Sequence, residues 1–196
     1  MRCRLSLVAV LLAAGVVSAA EGDLIPNPPY KHWAAFKPGT TVTLKQIVRE
    51  GTPNAAASPS EETEQLNAFK LLEVTPEKVV VEQISSDIEN GSIVEQAPVK
   101  LIFPAKVDKK YAKGGVAREK LTSFKEGLES VKHDKGDAKC QLVESSIKNG
   151  DEESISRQWS CDDVPGGIVK EVITKKIGGK VAYETTTLLI DIKVVK

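Results

Sequence analysis

Past its first forty residues, the chain alternates polar and apolar positions over long stretches, a period of two that marks strands with one covered face. Val42 and Leu44 set against Thr41, Thr43 and Lys45 predict a first strand over 40–48. A second is predicted from Gln65 to Val74, ended by Pro76, and a third from Val79 to Ile88. Asn90-Gly91 then predicts a type I′ hairpin turn, because both central residues of that turn take positive φ. This turn sets Ile88 opposite Ile93. The run from Ser92 to Phe103 contains Pro98, which cannot donate to a strand ladder and so implies a sheet edge or a bulge.

The C-terminal part reads in the same way. Strands are predicted over 138–148 and 154–161, around the turn Asn149, Gly150, Asp151, Glu152. Val164-Pro165-Gly166-Gly167 predicts a type II turn with Gly166 at the positive φ. Two long strands, Ile168 to Ile177 and Val181 to Val195, join at Gly178-Gly179. The prediction is a mainly β fold: a curved antiparallel meander of about eight strands, half-barrel or sandwich-like, with a short N-terminal helix. Residues 51–64, rich in Pro, Ala, Ser and Glu, predict a flexible loop. Pro104 to Lys139 is harder to read. Lys106, Lys109, Lys110 and Lys113 around Tyr111 suggest a solvated loop or a contact for an anionic partner. Leu121, Phe124 and Leu128 fit one face of a short helix, weakened by Gly127.

The predicted N-terminal helix is Asn27, Pro28, Pro29, Tyr30, Lys31, His32, Trp33, Ala34, Ala35, Phe36. Asn27 can cap it and Pro28 suits its first turn. Tyr30, Trp33 and Phe36 recur every three residues and can share one side, either as a plug over the sheet or as a ligand-stacking surface.

Ahead of this helix, Arg2 and Arg4, an apolar run from Leu5 to Val17 and the small residues Ser18, Ala19 and Ala20 have the zones of a signal peptide. The expected division is 1–20 as leader and 21–196 as a single domain, an exported chain of the periplasm or extracellular space. No later stretch approaches the ~20 apolar residues of a membrane helix. The whole chain balances 27 basic against 27 acidic residues, and loss of the two leader arginines tips it slightly acidic. A nucleic-acid partner would call for a basic excess, so none is expected.

Two cysteines would survive cleavage, Cys140 and Cys161. A turn at 149–152 pairs Lys148 with Glu153, Glu144 with Arg157 and Leu142 with Trp159, each chemically apt, and carries Cys140 to a place opposite Cys161. An exported chain would join them as a disulfide, worth about 3 kcal/mol for a loop of about 20 residues. Alternatively they are two small buried hydrophobes, or a reactive thiol, though with no CxxC and no histidine near in sequence.

No motif for catalysis stands out. His32 and His133 are the only histidines, and neither sits beside a nucleophile in GxSxG, HExxH or a similar pattern. Asp162-Asp163 could touch a hard cation or simply be solvated turn residues. No cofactor or metal is expected.

The stretch Trp159, Ser160, Cys161, Asp162, Asp163, Val164, Pro165, Gly166, Gly167, Ile168, Val169, Lys170 resembles a tryptophan strand and VPGG turn of uncharacterised secreted bacterial β proteins, distant relatives of lipoprotein-carrier half-barrels. That resemblance implies a curved sheet holding acyl chains, with Tyr30, Trp33, Phe36 and Trp159 as candidate ligand contacts. The expected function is a non-enzymatic binding or carrier module for a lipid or other apolar molecule. The alternatives are a structural or protein-contact module of the cell envelope with a filled core, and a hydrolase without a recognisable motif.

Overall fold

The computed structural model describes residues 24–51, 62–89, 92–108, 121–133 and 136–195. The leader, most of the 51–64 loop, the Asn90-Gly91 turn and the lysines at 109, 110 and 113 lie outside the described residues. The elements run β1 (Leu24–Pro26), α1 (Pro28–Ala34), β2 (Thr41–Glu50), β3 (Glu62–Val74), β4 (Lys78–Glu89), β5 (Ser92–Glu95), β6 (Val99–Pro104) and β7 (Lys106–Asp108). They continue with β8 (Ser123–His133), β9 (Gly136–Asn149), β10 (Glu152–Ser160), β11 (Ile168–Ile177) and β12 (Lys180–Lys193).

Ten strands make one antiparallel sheet in the order β5-β4-β3-β2-β12-β11-β10-β9-β8, with β6 also on β4, while β1 and β7 pair separately. The chain builds two hairpin meanders, β2 to β6 and β8 to β12. They fuse where the last strand returns beside the first: Leu189 faces Leu44 and Ile192 faces Val42 across β12 and β2. The sheet stays open, with β8 at one edge and β5 and β6 at the other. Pro98 falls between β5 and β6, which both pair with β4 and lie at the edge, where a missing N–H costs no ladder bond.

Register follows the turns. Across β9 and β10, Lys148 pairs with Glu153, Glu144 with Arg157 and Leu142 with Trp159. Ile88 faces Ile93 as the Asn90-Gly91 turn requires. At the β11–β12 turn, Gly178 and Gly179 both have positive φ, the condition of a primed hairpin turn.

Two expectations are corrected. Residues 123–133 form β8, paired with β9 along its whole length, and not a helix. Phe124 and Leu128 lie four apart, a spacing that shares a face in a strand as well as in a helix, and the exposed ladder of β9 decides between them. The loop expected to run to residue 64 is corrected at its end, because Glu62 of β3 already pairs with Arg49.

The core sits at one end of the sheet. Leu71, Val79, Val81 and Val169 are buried there with Val42, Leu44 and Leu189, and Trp33 of α1 closes over them.

Candidate functional site

Helix α1 is docked by its aromatic side chains. Trp33 is 4% exposed and belongs to the core, Tyr30 and Phe36 pack against that core, and the Tyr30 hydroxyl donates to the Thr75 carbonyl at 2.9 Å. Asn27 holds the N-cap position but makes no side-chain cap bond. Its buried amide donates instead to the Pro104 carbonyl at 2.8 Å, tying the helix start to the end of β6. The aromatic triplet thus packs on the protein's own core, Trp33 buried and Tyr30 and Phe36 half-buried.

The plug rests on the Val164-Pro165-Gly166-Gly167 turn. Gly166 and Gly167 have φ of 76° and 79°. A Cβ on Gly166 would lie 3.0 Å from the Trp33 ring, and one on Gly167 would lie 2.7 Å from Cγ of His32. Both conditions, positive φ and close approach, select glycine.

Trp159 packs against the same core from β10. It pairs with Leu142 and Lys170 across the sheet, its indole N–H donates to Glu129 Oε2 at 2.7 Å, and the Lys170 ammonium stands 5.0 Å over its ring. All four aromatic residues expected to contact a ligand pack on one core, Trp33 within it and Tyr30, Phe36 and Trp159 against it.

Cys140 and Cys161 are free thiols here, so the expected disulfide is absent from the structure. Ser160 faces Gln141 in the register, and β10 ends there. Cys161 turns into the VPGG segment, its N–H bonded to the Gly167 carbonyl. Burial, with the neighbouring Cys161 adding to it, holds the Cys140 thiol above its usual range.

Beside Cys161 lies an open depression of about 540 Å³, lined among others by His32, Glu126, Leu128, Lys139, Cys161 and Asp162. It brings a histidine near a cysteine, which the sequence spacing had argued against. His32 Nδ1 is 3.4 Å from Asp162 Oδ1, an approach without a hydrogen bond, and among the described residues Nδ1 has no hydrogen-bond partner. Burial lowers the His32 pKa, Asp162 partly opposes this, and Lys31 adds to the lowering. Among the described residues no hydrogen bond joins His32 to Cys161, and no three His, Cys, Asp or Glu side chains gather as a metal site.

A second arrangement spans the sheet. Alternation places Val42, Leu44, Leu189, Leu71 and Val81 on one face, the inner one that α1 covers. One step beyond the core, that face carries a row of direct cross-strand partners: Asp87, Gln65, Gln46, Thr187, Glu171 and Gln158, from β4, β3, β2, β12, β11 and β10. All six are half-buried.

On β3 and β4 the row is knitted together. Gln65 donates to Asp87 at 3.0 Å, Gln96 donates to the other oxygen of Asp87 at 3.1 Å, and Asn67 donates to Gln65 at 3.3 Å. Gln83 and Ser85 both donate to Asn67 Oδ1. In the middle, the side chains of Gln46, Thr187 and Glu171 have no hydrogen-bond or ion-pair partner among the described residues, while Gln158 donates to Ser160.

Burial raises the Glu171 pKa. The folded state then holds this proton more tightly than the unfolded chain does. The stabilising contribution is full below the ordinary carboxyl value of 4.5 and is lost as pH rises through the raised value. Glu171→Gln is therefore expected to raise the melting midpoint at pH 7 and to change it little at pH 4. An equal shift at both pH values would show that charge is not the cause.

The row escapes sequence reading because its six residues come from six strands and meet only through registers. The sequence signal was the run of Gln, Asn, Ser and Thr at alternate positions, as in Gln65, Asn67, Gln83 and Ser85, where inward apolar residues would be expected.

Among the described residues no helix is long and apolar enough to cross a membrane, which leaves membrane-crossing strands unaddressed. No protein-family model matches the chain, and no curated protein matches it. Among solved structures the chain is similar to a Bacteroides fragilis protein described as exported and as having a YmcC-like fold. The two are 12% identical with a TM-score of 0.40, over 81% of this chain and 97% of that one. The resemblance to lipoprotein-carrier half-barrels is not shown by any of these comparisons.

Proposed function

We infer that this chain is an exported, non-enzymatic binding module that holds its ligand on the inner face of its open sheet. Export rests on the leader pattern at 1–20. The observation that carries the binding reading is the row from Asp87 to Gln158, a line of half-buried polar side chains next to the core whose middle members have no partner among the described residues. Half-buried amides and carboxylates lose part of their hydration, and a ligand that supplies hydrogen bonds restores it. The acyl-chain version has less support, since Tyr30, Trp33 and Phe36 are spent on the core.

The test is the intact mass of protein purified from its native envelope, measured natively and after denaturation. Additional mass lost on denaturation, and absent from a Gln46→Leu/Thr187→Val double variant, is the expected result. A bare mass from both proteins would count against the reading. The same spectra report on the cysteines, because a Cys140–Cys161 bond removes two hydrogens.

A second reading, a protein-contact module with a filled core, is favoured by the β5–β6 edge. Ile93 and Ile102 are 60% and 61% exposed there, beside exposed Val94 and Val99. It predicts a co-purifying polypeptide that Ile93→Glu/Ile102→Glu releases and the inner-face double variant keeps.

A further inference from the structure

The two faces of the sheet are polar in different ways. On the outer face, charges answer one another across strands: Lys45 with Glu64, Arg49 with Glu62, Arg157 with Glu144 and Lys176 with Glu153. Such pairs keep a sheet face in water and need no ligand. Beyond the core, the inner face carries mainly amides and hydroxyls, Gln46, Gln65, Asn67, Thr187, Gln158 and Ser156, beside the carboxylates of Asp87 and Glu171 and a single cross-strand ion pair among the described residues, Lys175 with Glu152, toward its far end. Solubility alone does not require that difference.

We propose that the inner row binds a linear, uncharged glycan strand lying across the β-strands. This rests on the binding reading above and names its ligand class. Adjacent strands are about 4.8 Å apart, so the six residues extend over about 24 Å, offering a donor or acceptor at a spacing close to the length of one pyranose ring. Each amide presents both donors and acceptors, and each hydroxyl presents both at one atom. A chain of sugar hydroxyls presents the same mixed chemistry along its length.

Other classes fit less well. A nucleic acid would meet the carboxylates of Asp87 and Glu171 in the row. A lipid would meet few apolar side chains along it. Peptides are commonly taken at sheet edges through backbone bonds, and this is a face. The knitted half on β3 and β4 is pre-organised, because Asp87 is fixed by Gln65 and Gln96. The unpartnered half, Gln46, Thr187 and Glu171, is open to new bonds. With no aromatic side chain in the row itself, recognition rests on hydrogen bonds.

The test titrates the isotope-labelled mature chain with chitohexaose, cellohexaose and maltohexaose, and separately with dodecylphosphocholine below its micelle concentration, following backbone amide shifts. The expected result is saturable shifts along β2, β3, β11 and β12 with at least one hexasaccharide. Gln46→Leu/Thr187→Val should weaken these at least tenfold at an unchanged melting midpoint, and Lys45→Gln on the outer face should leave them intact. Shifts of the row with the amphiphile and with none of the sugars would overturn the glycan proposal while leaving an inner-face ligand in place. Shifts confined to the edges or the outer face, or none with any probe, would overturn both.

Discussion

Replacing Trp33 by alanine is expected to cost about 3–5 kcal/mol, the range for removing a large aromatic side chain from a packed core. At 2–4 °C per kcal/mol for a chain of this size, the melting midpoint should fall by about 6–20 °C. The reason lies in how α1 is held. A helix of seven residues is far below the ~12–15 at which an isolated helix becomes even marginally stable in water. Its N-cap side chain is engaged with Pro104, so local capping adds nothing from that side chain. Packing must supply the rest, and Trp33 is the buried residue of the helix. Urea unfolding of the wild type, Trp33→Ala and Phe36→Ala would check this. Phe36 is half-buried and should lose less. A loss below about 1 kcal/mol for Trp33→Ala would mean that the core stands without its plug.

Much of the fold was legible because strand signals are local. The Asn149–Glu152 turn fixed the β9–β10 register down to Arg157 against Glu144, and Gly166 takes the positive φ that a type II turn demands. Pro98 marked the edge. Local signals failed where two periods coincide, as at Phe124 and Leu128, whose spacing serves helix and strand alike.

The candidate site was less legible, for a different reason. Tyr30, Trp33 and Phe36 were visible as a cluster in sequence, but whether such a cluster binds a ligand or fills a core depends on what lies opposite it. It packs on a core that includes Val42, Leu71 and Val81, with Trp33 buried and Tyr30 and Phe36 half-buried. The polar row has the reverse character. Each of its members is an ordinary strand residue, and only the meeting of β2 with β12, the first long strand with the last, brings Gln46 beside Thr187. A contact between residues so far apart in the chain has no local signature.

Gly167→Ala is expected to be among the most damaging single changes in the turns of the fold, and Gly179→Ala shows why. The two glycines have nearly the same φ, 79° and 78°. The cost of forcing an L side chain into that region is therefore common to both, about 1–2 kcal/mol. They differ in what the new methyl group meets. At Gly179 nothing lies within 4 Å, whereas at Gly167 the His32 ring lies at 2.7 Å. His32 cannot swing away at no cost, since it is part of α1 and adjoins Trp33. The clash is thus passed to the plug, and overpacking of this kind adds about 1–3 kcal/mol. Gly167→Ala should lose about 2–5 kcal/mol and Gly179→Ala only the backbone share, measured as the difference between their urea midpoints. His32→Ala made together with Gly167→Ala should recover the steric part and leave the backbone part. Equal losses at Gly167 and Gly179, or no recovery in the double variant, would show that the turn tolerates a side chain and that α1 is docked by Trp33 alone.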